Sequence, residues 1–146
     1  MPNHSRQRPD RHDDHALGSP SASRFALPRS ARLLHSSEFN RVFESPTRSA
    51  DRYFTVLARP QAPSNRDRNR IGSTRRPRLG LAISKRCAAR SVARNRIKRV
   101  IRESFRHVRD RLPGVDVVVL CRRAATSADN PSLRASLDAH WKRICR

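Results

Sequence analysis

A chain of 146 residues has room for one domain of roughly 100–120 residues and a tail, not for two domains. Its 33 Lys and Arg against 12 Asp and Glu give a formal charge of +21. So self-repelling a chain implies a polyanionic partner in use. No run of about 18 apolar residues is present, so no membrane-spanning helix is expected. The N-terminus lacks an apolar stretch, so no secretory signal is expected. Cys87, Cys121 and Cys145 are odd in number and lie 34 and 24 residues apart. That spacing suits neither a zinc site nor a disulfide framework, so they are expected to be buried or incidental thiols in a reducing cytoplasm.

Residues 1–30 are rich in Pro, Ser, His, Arg and Asp and poor in apolar side chains, the composition of a disordered tail. Order is expected to begin near Arg32-Leu33. Ser36 or Ser37 can cap a short helix, with Glu38 at its positive end. Phe39, Val42 and Phe43 fall on one face of it, and Ser45-Pro46 ends it. Residues 48–51 suggest a short strand, and Tyr53-Phe54-Thr55-Val56-Leu57-Ala58 a longer one. Residues 60–77 hold Pro and Arg but no apolar run, which predicts a flexible basic loop. Leu79-Gly80-Leu81-Ala82-Ile83-Ser84 predicts a further strand, paired with the Tyr53–Ala58 strand across that loop.

The segment 94–106, RNRIKRVIRESFR, is the most informative. Ile97, Val100, Ile101, Phe105 and Val108 share one helical stripe, and Lys98, Arg99, Arg102, Arg106 and Arg109 fall opposite. This predicts a packed helix over about 92–112 with a cationic outer face, capped by Ser91 and stopped by Pro113-Gly114. From 75 to 111 there are 14 Arg and Lys and two acids, Glu103 and Asp110, so the charge is concentrated there. Val115–Cys121 is nearly all apolar from Val117 onward and predicts a strand buried on both faces. Asp129 or Asn130 with Pro131 opens a last helix, with Leu133, Leu137, Trp141 and Ile144 on one stripe. The resulting α-β-β-β-α-β-α order is that of a small α+β sandwich.

From about Arg32 to Ile144 the chain resembles the protein component of bacterial ribonuclease P. The resemblance is carried by Arg94-Asn95-Arg96 within RNRIKRVIRESFR. Three further segments lie in register with it: Ser37-Glu38-Phe39-Asn40-Arg41-Val42-Phe43, Arg78-Leu79-Gly80-Leu81-Ala82-Ile83-Ser84-Lys85-Arg86, and the Val-rich strand from Val115. It implies an α-β sandwich with a left-handed crossover around the basic helix, where physics alone favours right-handed ones. It also implies a domain over 31–146 and, as function, assistance to a catalytic RNA that removes the 5′ leader of precursor tRNA. Mg²⁺ would be bound mainly by that RNA, and the work would be cytoplasmic.

By the resemblance, Arg94, Asn95, Arg96, Lys98, Arg99 and Arg102 bind the catalytic ribonuclease P RNA. Precursor tRNA leader is expected in a cleft between the first helix and the sheet, with Phe39, Phe43 and Tyr53 as candidate stacking platforms. Tyr53 and Leu57 are expected on one strand face, Leu57 standing where some relatives carry Tyr. Lys85 and Arg86 are expected to touch leader or RNA phosphate. No protein catalytic residue or protein metal site is predicted, because His107 and His140 lie on different helices with no carboxylate evidently paired to either. Two other functions fit a basic sandwich: a ribosomal or ribosome-assembly rRNA-binding protein, and a DNA-binding nucleoid protein. The absence of helix-turn-helix spacing weighs against the last.

Overall fold

The computed structural model describes residues 27–61 and 75–145. The tail expected at 1–30 and the loop expected at 60–77 therefore lie outside the described residues except at their ends. Leu27 is buried and Arg29–Ala31 form a 3₁₀ turn. The described fold thus starts ahead of the predicted boundary at 31. The elements that follow are α1 (Ser36–Glu44), β1 (Thr47–Ala50), β2 (Phe54–Pro60), β3 (Arg78–Ala82), α2 (Ser91–Val108), β4 (Val115–Cys121), a short α3 (Ala124–Ser127) and α4 (Asn130–Ile144). Every predicted element is present; α3 and the 3₁₀ turn are additions.

The four strands lie in the order β1-β2-β4-β3. This corrects the expected pairing of β2 with β3. β4 sits between them, antiparallel to β2 and parallel to β3. The reason is apolar content. Val115–Val119 are all buried, and the central position is the one that covers both edges and both faces of such a run. Parallel pairing of β3 with β4 requires a crossover, and α2 supplies it.

Strand alternation divides the core in two. Phe54, Val56, Leu79, Val117 and Val119 face α2 and α4, packing on Ile97, Ile101, Phe105, Leu133, Leu137 and Trp141. Leu57 and Val118 are cross-strand partners and face the other way, onto Val42 of α1 and Leu33. Between the two helices the Trp141 indole N–H donates to Ser104 Oγ (2.8 Å), and its ring meets Phe105 edge-on at 5.8 Å, a favoured aromatic geometry.

Local ends differ from expectation where side chains found better partners. α1 is capped at His35, not Ser36 or Ser37, and Glu38 Oε2 accepts from the backbone N–H of Leu34 and His35 (2.8 and 3.2 Å). α2 starts without a side-chain cap at Arg90 and ends at Val108. Asp129 caps α4 by accepting from Ser132 N–H at 2.9 Å. Cys87 and Cys121 form a disulfide with Cα atoms 6.0 Å apart, which corrects the expectation of three unpaired thiols; Cys145 remains free. Spacing could not show this pair. It arises because β3 and β4 run parallel, so the turn after one lies beside the end of the other.

Candidate nucleic-acid interface

Helix α2 buries Ile97, Val100, Ile101, Ser104 and Phe105 and leaves Arg99 and Arg102 exposed, with Lys98 partly so. Among the described residues, Lys98, Arg99 and Arg102 have no ion-pair partner. An array of fixed, unneutralised cations on a rigid helix is what a phosphate backbone requires.

The segment before α1 completes this surface. Arg32 bridges Leu79 in parallel, and Leu33 N–H donates to Leu79 O at 2.9 Å. The chain is thereby stitched to the outer edge of β3. Arg32 Nε donates to Leu27 O (2.9 Å). Between this strap and α2 lies a cavity of about 550 Å³, walled by Arg32, Asn95, Arg99, Arg102, Glu103 and Arg106. A second cavity, of about 250 Å³, opens between the strap, α1 and β3; Leu33, Leu34, Phe39 and Leu81 line it together with Arg32, Lys98 and Arg102. The cationic face and the α1 cleft therefore adjoin. Burial and the neighbouring Arg32 guanidinium both lower the Arg102 pKa.

Arg94 and Arg96, expected among the RNA-binding residues, turn inward instead and are not gathered on the outer face. Arg96 Nη1 donates to Ala128 O (3.1 Å) and Asn130 Oδ1 (2.8 Å), and its Nη2 to Thr126 O (3.2 Å). It clamps the end of α3 and the start of α4 onto α2. Arg94 Nη1 donates to Ala88 O (2.8 Å) and Ala89 O (2.9 Å), fixing the turn that enters the helix.

On α1, Phe39 packs the far end of its ring against Gly80. A Cβ at position 80 would stand 2.6 Å from Phe39 Cε1 and 3.0 Å from Leu33 Cδ1, so only glycine admits the ring. The same helix is tied to the sheet by charge. Arg78 forks onto Asp116 (2.9 and 2.8 Å) and also reaches Glu38 Oε1 (2.9 Å). Burial pushes the Glu38 carboxyl up, but the Leu34 and His35 amides and Arg78 outweigh it and hold it below the usual range.

The other expected contacts are not gathered here. Phe43 is 44 % exposed and lines neither cavity. Tyr53 precedes β2 and packs on the α2/α4 side, while Leu57 is buried under α1. The two do not share a face, because the bend at 52–53 breaks the strand alternation. Lys85 and Arg86 are exposed in the turn after β3. Arg32 is the contributor that sequence reasoning missed. Its signal was faint: an Arg beside two Leu, at the point where the chain turns apolar.

His140 does have a carboxylate partner, contrary to expectation. It is fully buried, with Nδ1 2.7 Å from Ser49 Oγ and Nε2 3.1 Å from Asp51 Oδ2. Ser136 Oγ donates to the same carboxylate, and Arg143 Nη1 donates to Ser49 Oγ (2.8 Å). This array latches α4 to β1. Burial lowers the His140 pKa and Arg143 lowers it further, outweighing the Asp51 charge. For magnesium the acids are poorly placed: Glu38 and Asp116 hold Arg78, Glu44 meets Arg59, Glu103 meets Arg134, and Asp51 serves His140. No group of three metal-ligating side chains exists among the described residues. Nor is any described helix long and apolar enough to cross a membrane.

The family described as Ribonuclease P matches residues 27–145, the whole described fold. The ribonuclease P protein component of Thioalkalivibrio sulfidiphilus is 44% identical over 118 residues, covering 81% of this chain and 89% of that one. The solved RNase P protein of Staphylococcus aureus superposes with a TM-score of 0.64 at 27% identity, covering 80% of this chain and 95% of that one. The RNase P protein of Thermotoga maritima gives 0.62 at 28%, covering 77% and 96%. The joined basic helix and α1 cleft are thus built on a shared fold, and the chain belongs to the ribonuclease P protein family.

Proposed function

We propose that this chain is the protein subunit of ribonuclease P, binding the catalytic RNA and the single-stranded 5′ leader of precursor tRNA. The observation that carries it is the adjacency of two unlike surfaces. A cationic helix face, whose Lys98, Arg99 and Arg102 have no ion-pair partner among the described residues, meets a cleft lined by Phe39, Leu33 and Leu81. Cations hold phosphates whatever the sequence, and an aromatic in a basic groove accepts bases without reading them. A leader of arbitrary sequence asks for that combination. Asn95, Lys98, Arg99 and Arg102 carry the RNA contacts; Arg94 and Arg96 hold the helix and its neighbours in place.

The chemistry belongs to the RNA. Magnesium supplies charge stabilisation on RNA phosphates, and the protein contributes counter-charge that lets the crowded RNA fold with less of it. The setting is the cytoplasm, where precursor tRNA is made. Competition tests this reading against a ribosomal role. The labelled catalytic RNA should be displaced from the protein by the same RNA far better than by rRNA fragments or duplex DNA of equal length. Equal displacement by rRNA fragments would favour the ribosomal alternative.

A further inference from the structure

Away from both cavities described above, the Cys87–Cys121 bond has surroundings that a structural brace does not need. Cys87 lies between β3 and α2 and lines a third cavity, of about 340 Å³, together with Arg86, Arg90, Ala93 and Arg123. That volume lies at the lower end of the small-molecule range, about 300–1,000 Å³. Arg86, Arg90 and Arg123 are exposed, and none has an ion-pair partner among the described residues. Cys121 does not line the cavity; it sits partly buried at the end of β4. Both sulfurs lie close to Arg122 O, at 3.2 and 3.3 Å. α2 begins just beyond, at Ser91, with no side-chain cap. Arginines and a helix start both favour a thiolate over a thiol. In the cytoplasmic setting proposed above, a disulfide is a transient state and not a permanent brace. A cysteine open to a cavity beside a second, more sheltered one is the arrangement of a reactive thiol and its resolving partner.

We infer that Cys87 is a reversible thiolation site for a small anionic thiol, recruited by Arg86, Arg90 and Arg123, with Cys121 as the resolving thiol. The oxidant is the disulfide of that small thiol. The Cys87 thiolate attacks one of its sulfurs, a mixed disulfide forms on Cys87, and one small thiolate leaves and takes up a proton. The Cys121 thiolate then attacks Cys87 Sγ, the internal disulfide closes, and the second small thiolate leaves and is protonated. Two electrons pass from the cysteine pair to the small disulfide. Reduction by the small thiol runs back through the same adduct. Carboxylates identify the ligand class, because guanidiniums take them in forked, charge-assisted pairs. The position gives the consequence. Ala88 and Ala89, next to Cys87, hold Arg94 through their carbonyls at 2.8 and 2.9 Å. A carboxylate-bearing adduct there cancels cations at the foot of α2 and weakens polyanion binding.

The test uses the full chain carrying Cys145→Ser, so that only the pair reports. Reduced protein is mixed with oxidised glutathione as the anionic probe or with uncharged hydroxyethyl disulfide, and intact mass and peptide mapping follow the products. With Cys121→Ser added, one glutathione should accumulate on Cys87; with Cys121 present, the adduct should give way to the internal disulfide. Arg90→Gln with Arg123→Gln should slow glutathione capture roughly fivefold, the size of two exposed charge pairs, and leave capture of hydroxyethyl disulfide unchanged. Equal slowing with both probes, or an adduct that forms faster on Cys121 than on Cys87, would overturn the inference. Filter binding of a bacterial ribonuclease P RNA then compares the Cys121→Ser protein with and without its adduct, an arm that rests on the RNA-binding reading above. The adduct should weaken binding several-fold, and equal affinity would overturn the assigned consequence. Failure of even the unmodified protein to bind would overturn the RNA-binding reading, and is distinguishable because the capture rates need no RNA.

Discussion

Gly80→Ala should displace Phe39 and so damage both stability and leader recognition. The added Cβ would lie 2.6 and 2.8 Å from Phe39 Cε1 and Cζ, about 1 Å inside ordinary carbon contact. β3 cannot retreat, because β4 holds one edge and the Arg32–Leu33 strap the other. The ring must therefore leave its seat. Overpacking of this kind costs about 1–3 kcal/mol, a fall of roughly 4–12 °C in Tm for a domain of this size. Thermal melts followed by circular dichroism measure it. A double-mutant cycle makes the test specific: in a Phe39→Ala background the same substitution should be neutral or slightly stabilising, since alanine loses less backbone entropy than glycine. Precursor tRNA affinity of Gly80→Ala should fall while mature tRNA affinity holds. An equal loss of stability with and without the Phe39 ring would refute the reasoning.

Four other perturbations test holding and binding separately. Arg96→Ala strips the clamp from the α3–α4 turn and should cost about 1.5–3 kcal/mol, yet leave the salt dependence of RNA binding unchanged. Arg99→Ala should do the reverse, leaving Tm alone and lowering the slope of log K against log salt by about 0.7–0.9; urea melts and filter binding read the two. Arg78→Ala leaves the buried Asp116 carboxylate unpaired and should cost about 3 kcal/mol. Arg78→Met with Asp116→Asn should recover much of that loss in the same urea titration. The His140 pKa is lowered on folding, so the folded state favours neutral imidazole. Its contribution is fully present above 6.5, its ordinary value, and declines as pH falls from there through the folded pKa. Urea stability should drop over that window in wild type and stay flatter in His140→Gln. A fall of the same size in both would place the titrating group elsewhere.

Much of this architecture is legible in one dimension. α2 announces itself because its apolar residues keep a strict helical period amid cations, and β4 because the chain is nearly all apolar from Val117 to Cys121. The sheet order is not legible. Nothing in Phe54–Pro60 or Arg78–Ala82 says that a strand over 30 residues later will come between them, and the Cys87–Cys121 bond follows from that hidden pairing. The cationic face is visible from periodicity, but the direction of each guanidinium is not. Arg96 and Arg99 look alike in sequence, and it is the carbonyls of the 126–128 turn with the Asn130 side chain that draw Arg96 inward. Tyr53 misled because alternation holds only within a strand, and the chain bends just before Phe54. Arg32 and Leu27 were obscured by the polar run before them, since their role depends on a bridge to β3 made across some forty-five residues.

The most direct measurement is 5′-leader cleavage of a precursor tRNA by a bacterial ribonuclease P RNA at low Mg²⁺, with and without this protein. Cleavage at the mature 5′ end that appears only when the protein is present is the predicted result. Tight binding of the RNA with no stimulation of cleavage would contradict the account and favour a ribosomal or assembly role.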